Sequence, residues 1–180
     1  MIRKLVVLLA LAGLFGVWAF KDTLLPAEPI QSGQVKIRDG DTLTMMGKDV
    51  RLYGIDAPEY KQICQNNAGK NWPCGDVSRQ KLATIIGNSE VVCTPKATDK
   101  YNRTIATCST ATVPDIALAL VEAGYAANGV DGGEGPYAVS ESLAQVEKIG
   151  VWSGPFTTPA DWRRANPRQN AEAPTNEGTS

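Results

Sequence analysis

Along residues 35–55 apolar and polar side chains alternate in three bouts. Val35 and Ile37 alternate with polar neighbours, Asp39-Gly40 interrupts, and Leu43 and Met45 resume the alternation. A period of two on both sides of an Asp-Gly pair predicts a β-hairpin, because that pair readily takes the tight turn between two strands. A second turn at Gly47 leads into residues 48–55, where Val50 and Leu52 share one face while Arg51 and Tyr53 share the other. Three antiparallel strands in a meander follow.

Past residue 55 the pattern changes. Residues 56–75 are irregular and hold Pro58, Pro73 and the cysteines Cys64 and Cys74. From 76 to 86, Leu82, Ile85 and Ile86 fall at helical spacing, and Gly87 supplies a stop. Residues 90–95 and 103–109 read as two strands about a polar turn at 98–102. A second helix is expected to take Thr112 as N-cap, with Pro114 and Asp115 in its first turn, and to end at Gly124. A third covers 137–149 and closes at Gly150. Five short strands, one helix between the third and fourth, and further helices after them form the element order of an OB-fold barrel with three helices. This is an α+β fold dominated by β, and a plain α+β sandwich is the alternative.

The two ends read differently. Met1 to Lys4 carry two basic residues, 5–20 are apolar, and Val17-Trp18-Ala19 offers the small-residue pattern of a cleavage site. Sixteen helical residues reach about 24 Å, short of a hydrocarbon core of about 30 Å. Residues 1–20 therefore read as a signal peptide of an exported protein, periplasmic or secreted. The alternative is an uncleaved anchor that attaches the chain to a membrane through 5–20. Residues 21–32, with Pro26 and Pro29, read as a linker, 33–160 as the folded domain, and 161–180 as a polar, disordered tail.

Composition narrows the chemistry. The chain has no histidine, which excludes Ser-His-Asp and Cys-His nucleophiles and histidine-based zinc sites. A net charge of −1 and a pI near 5.5 give no global cationic field, so a polyanionic ligand would need local positive charge. The four cysteines are an even number, as disulfides in an exported chain require. Cys93 and Cys108 lie symmetrically about Lys100-Tyr101, so a hairpin turning there sets them opposite one another. Cys64 and Cys74 are then left to pair, while a cytosolic chain would keep four thiols.

Asp41 lies just past the Asp39-Gly40 turn, Asp56 follows a strand, and Glu59 comes three residues later, so the three acids can meet at one rim of the sheet. Carboxylates with a backbone carbonyl and water suit a hard cation such as calcium. Arg51 and Arg103, rigid forked cations, suit phosphate oxygens.

The segments DGDTL, VRLYGIDAPE and DKYNRTIA, followed by ALVEAGYA and GVW, resemble the staphylococcal nuclease (thermonuclease) family over about residues 33–156. The resemblance implies a five-stranded OB barrel with three helices. It also implies a calcium-dependent nuclease that cleaves single- and double-stranded DNA and RNA with little sequence preference, leaving 3′-phosphate ends. Carried over by position, Asp41 and Asp56 resemble the calcium ligands, Ala57 the residue that offers its carbonyl, and Glu59 the general base. Arg51 and Arg103 resemble the phosphate-holding arginines, Asp39 a supporting acid, and Lys100 and Tyr101 contacts to a terminal phosphate. Asn102 stands where the family has glycine, and the family's base-stacking tyrosines are not matched in 126–130. Tyr137 is read as packing at a helix start. A monomer is expected, and both arginines are expected to serve turnover with little effect on stability. A noncatalytic OB module binding oligonucleotide or peptide is the competing function, and the retained acids and arginines argue against it.

Overall fold

The computed structural model describes residues 28–32, 35–129 and 134–167; the leader at 1–20, most of the linker and the tail beyond 167 lie outside the described residues. The meander forms as expected from β2 (Lys36–Ile37), β3 (Thr42–Met45) and β4 (Lys48–Leu52). Ile37 lies opposite Leu43, and Leu43 opposite Val50, all antiparallel. Met46 and Gly47, both at positive φ, make the two-residue turn between β3 and β4, a geometry that matches the strands' twist. Where one strand was expected through residue 55, Gly54 turns the chain at φ +77. Ile55–Asp56 becomes a separate strand, β5, paired with β10 (Ala127–Asn128).

The second hairpin consists of β8 (Val91–Thr98) and β9 (Thr104–Ser109). Its register sets Cys93 opposite Cys108, and the two are disulfide-bonded. Strand β9 runs parallel to β4, with Ile105 beside Arg51. That pairing brings the distant turn at 98–103 to the end of the meander.

The expected five-stranded closed barrel is replaced by an open six-stranded sheet in the order β1-β8-β9-β4-β3-β2, where β1 is Ile30–Ser32, with two small ribbons, β10-β5 and β6 (Cys64–Gln65)-β7 (Asn71–Trp72). The sheet is not closed into a barrel among the described residues. Strand β1, expected as the end of the linker, pairs antiparallel with β8. Strand β2 is left as the other edge. Four chain steps separate Ser32 from Lys36, at most about 14 Å, whereas five strand spacings of a flat sheet measure about 24 Å. The sheet must therefore curl until its two edges approach.

Four helices, where three were expected, stand among the described residues: α1 (Cys74–Ile86), α2 (Ile116–Glu122), α3 (Ala138–Glu147) and α4 (Pro159–Ala165). Helix α2 is capped by Asp115, whose carboxylate accepts the Leu118 amide at 3.1 Å, and not by Thr112. Thr112 lies in a loop organised by Thr110, whose hydroxyl accepts the amides of Thr112 and Val113. Helix α3 closes at Lys148, itself left-handed, two residues before Gly150. Tyr137 packs at the start of α3 and donates its hydroxyl to Asp115 at 2.9 Å. Helix α4 runs through the point where the tail was expected to begin.

Leu43, Val50 and Leu52 from the sheet meet Leu82 of α1 and Ile116 and Leu120 of α2 in the main core, which also buries Cys93 and Cys108. A smaller cluster gathers the second disulfide, Cys64–Cys74, with Val151, Trp72, Trp152 and Phe156. No helix among the described residues is long and apolar enough to cross a membrane. Peptide mapping under nonreducing conditions is expected to recover both pairs. The Cys93→Ala/Cys108→Ala double variant is expected to lose about 3 kcal/mol in urea unfolding, the scale for a 15-residue loop.

Candidate active site

Asp41 precedes β3, Arg51 lies on β4 with Thr42 opposite, and Asp56 ends β5. This arrangement turns Arg51 away from the core face that holds Val50 and Leu52 and toward the two aspartates. Its Nη1 donates to Asp41 Oδ1 at 3.0 Å, and its Nη2 lies 2.9 Å from Asp41 Oδ2 and 2.8 Å from Asp56 Oδ1. All three residues are buried, at 3% exposure for Asp41, 4% for Asp56 and 9% for Arg51. Asp41 also accepts the Thr42 hydroxyl and the Ala57 amide, and Asp39 Oδ1 accepts the Asp41 amide.

Two glycines let the surroundings close on these acids. A Cβ on Gly40 would come within 2.2 Å of the Ser78 hydroxyl and 2.7 Å of Ala57 Cβ. On Gly75, in the first turn of α1, it would overlap the Glu59 carbonyl at 1.7 Å. Helix α1 thus rests directly on the loop that carries Glu59.

A third guanidinium arrives from α4. Arg163 grips Asp56 with both terminal nitrogens, Nη1 to Oδ1 at 3.0 Å and Nη2 to Oδ2 at 2.9 Å, and the same Nη1 donates to Glu59 Oε1 at 2.6 Å. Burial pushes the Asp56 and Glu59 carboxyls above their ordinary range, and the Arg163 bonds oppose that rise. Burial also disfavours charge on Arg51 and Arg163, but the neighbouring acids outweigh it and raise both. Burial and the adjacent Asp41 carboxylate raise Asp39.

Arg103 stands apart from the acids. Asp99 accepts its amide at 2.9 Å and its Nε at 2.7 Å, together with the Tyr101 amide, while Asn102 takes the left-handed conformation at φ 63. Lys100 and Arg103 both lie over the exposed Tyr101 ring, at 5.1 and 5.5 Å from its centre. A cleft of about 930 Å³ is lined by Asp39, Asp41, Arg51, Ala57, Glu59, Lys100, Tyr101, Arg103 and Arg163. Every residue expected at the site from sequence lines it except Asp56, which two guanidiniums cover.

The donors fit a hard cation in kind, since Asp41 and Asp56 offer carboxylate oxygens and no soft ligand stands near. Among the described residues, however, no group of three acidic, cysteine or histidine side chains is placed to hold a metal. Such an ion would rest on two carboxylates with backbone and water oxygens.

Two residues of the site escaped the sequence reading. Arg163 fell in the presumed tail, although Thr158-Pro159-Ala160-Asp161 is a helix-start signature. The Thr158 hydroxyl accepts the Asp161 amide and donates to its carboxylate. Gln62 is buried; its side-chain oxygen accepts the Glu59 amide at 3.2 Å, and its Nε2 donates to the Thr157 carbonyl at 2.8 Å. It fastens the Glu59 loop to the segment that launches α4. A glutamine three residues after an acid carries no motif that would have exposed it.

Known proteins resemble this chain as follows. The pattern of the family described as staphylococcal nuclease homologue matches residues 49–154. A succinoglycan biosynthesis protein, ExoI, of Rhizobium meliloti is 34% identical over 70% of this chain and 66% of its own length. An uncharacterized endonuclease of Haemophilus influenzae is 33% identical over 72% of this chain and 71% of its own. A micrococcal nuclease of Shigella flexneri is 30% identical over 73% and 79%.

The structure changes one expectation about the arginines. Arg51→Ala leaves Asp41 and Asp56 buried beside each other with a counter-charge removed, and is expected to lower the unfolding free energy of the metal-free protein by about 3–5 kcal/mol. Arg103→Ala removes a partly exposed i,i+4 ion pair in a turn and is expected to stay within about 1 kcal/mol. Urea unfolding of the two variants checks both.

Proposed function

The chain belongs to the staphylococcal nuclease homologue family, and from that premise we propose that it is a calcium-dependent nuclease. Its proposed substrates are the phosphodiester bonds of single- and double-stranded DNA and of RNA, cut with little sequence preference to leave 3′-phosphate ends. The carrying observation is that Asp41, Arg51 and Glu59 line one cleft with Arg103 from a distant hairpin, with Asp56 bonded to Arg51. The Haemophilus and Shigella relatives, named as nucleases, support the same reading.

A phosphodiester repels hydroxide and gathers charge on its oxygens as water attacks. Arg51 and Arg103 answer that charge with fixed guanidiniums, which are worth more in a partly dry cleft than in water. Glu59 takes the proton of the attacking water; its carboxyl, raised by burial, is a stronger base than a free glutamate. Asp41 and Asp56, with the Ala57 carbonyl, would hold calcium, which supplies positive charge against the phosphate. Asp39 supports Asp41 through its amide. Lys100 and Tyr101, exposed beside Arg103, would meet a terminal phosphate.

The exported location belongs to this reading, and two disulfides support it. The noncatalytic alternative would leave the assembled acids and arginines without a use. Incubating the purified chain with single- and double-stranded DNA is expected to give cleavage with calcium and none with chelator. Glu59→Gln and Arg103→Ala are each expected to lower kcat about 10²- to 10³-fold. Calcium-independent cleavage, or none in either condition, contradicts the proposal.

A further inference from the structure

Arg163 holds the two groups that the proposed reaction needs free. Both oxygens of Asp56 accept its guanidinium, and Oδ1 accepts Arg51 as well. A cation at Asp56 would therefore sit against guanidinium charge unless a guanidinium bond is given up. Of the two guanidiniums, Arg51 is buried on a central strand and also holds Asp41, so its release would disturb β3 and β4. Arg163 sits on a short helix near the end of the described chain, with a quarter of its side chain exposed.

The helix does not depend on that grip. Pro159 and Ala160 are buried, Thr158 caps the first turn, and Arg164 is paired with Asp161 on the same helix. The helix is thus held by contacts other than the Arg163 grip on the acids. One atom joins the two acids, because Nη1 donates both to Asp56 Oδ1 and to Glu59 Oε1. An ion that draws Arg163 off Asp56 therefore acts on the same nitrogen that holds Glu59.

We propose that Arg163 is a positioning residue that competes with the divalent cation for Asp56 and holds Glu59 until the cation displaces it. The inference rests on the reading of Asp41 and Asp56 as the calcium site. Cation binding and release of the base then form one event, and the freed guanidinium, still charged, is delivered into a cleft that receives phosphate.

Titration calorimetry of the full chain with calcium chloride tests this, using wild type, Arg163→Gln, Arg163→Lys and Arg164→Gln, with Asp56→Asn to locate the site. Arg163→Gln is expected to bind calcium about tenfold more tightly, which corresponds to about 1.4 kcal/mol. Arg163→Lys keeps a charge without the two-pronged grip and should fall between it and wild type. Arg164→Gln should match wild type. In an NMR titration of wild type, the Arg163 Nε–Hε signal should move in step with calcium saturation, a readout that does not depend on any variant folding. Equal or weaker calcium binding by Arg163→Gln overturns the competition and leaves the calcium site standing. Absence of calcium binding in every variant overturns both.

Discussion

Two carboxylates buried side by side need a counter-charge, and Arg51 is the one the sheet itself provides. Taking an unpaired carboxylate out of water costs several kcal/mol, so Asp41 and Asp56 are tolerated in their buried positions only while a guanidinium lies between them. Asp41 immediately precedes β3, Arg51 lies on β4 and Asp56 ends β5, so their contact also fixes how those strands stand to one another. Strand β10 follows through its pairing with β5, and β9 follows through its parallel pairing with β4. Arg51 is in this sense a framework residue before it is anything else. A site that must later receive more charge is built on an ion pair that already balances it.

Much of this arrangement could be read from the sequence because it depends on short-range pattern. The alternation around Asp39-Gly40 marks β2 and β3, the spacing of Cys93 and Cys108 marks the register of β8 and β9, and Leu82, Ile85 and Ile86 mark α1. The failures share a physical cause. Ile30–Ser32 has no alternation long enough to announce a strand, and its strand is defined by its pairing with β8. Asp115 displaces Thr112 as a cap because Thr110 draws the preceding loop into a turn of its own. The acids and two arginines could be named from motif and resemblance, whereas their partners could not. Arg163 reaches Asp56 across 107 positions of sequence, and nothing local at residue 163 encodes that contact.

The loop at 57–75 connects these observations. It looks like an insertion between a strand and a helix, but Cys64–Cys74, Trp72 and Gln62 make it a platform against which residues 151–157 pack. From that platform α4 starts in a direction that carries Arg163 to the acids. The second disulfide thus lies in the platform from which the last guanidinium arrives. Composition at this loop is more informative about the site than its two short strands suggest.

The burial of the cysteines has a further consequence. Cys74, Cys93 and Cys108 have no exposed surface and Cys64 almost none, so an attacking thiolate cannot reach either bridge in the folded molecule. Exchange with the surrounding thiol pool is confined to the open chain and ends when the cores close. The redox poise that matters is that of the compartment where the chain folds, and a molecule later moved to reducing surroundings keeps the covalent pattern it acquired there. Its cross-links therefore serve as a lasting record of where it was made.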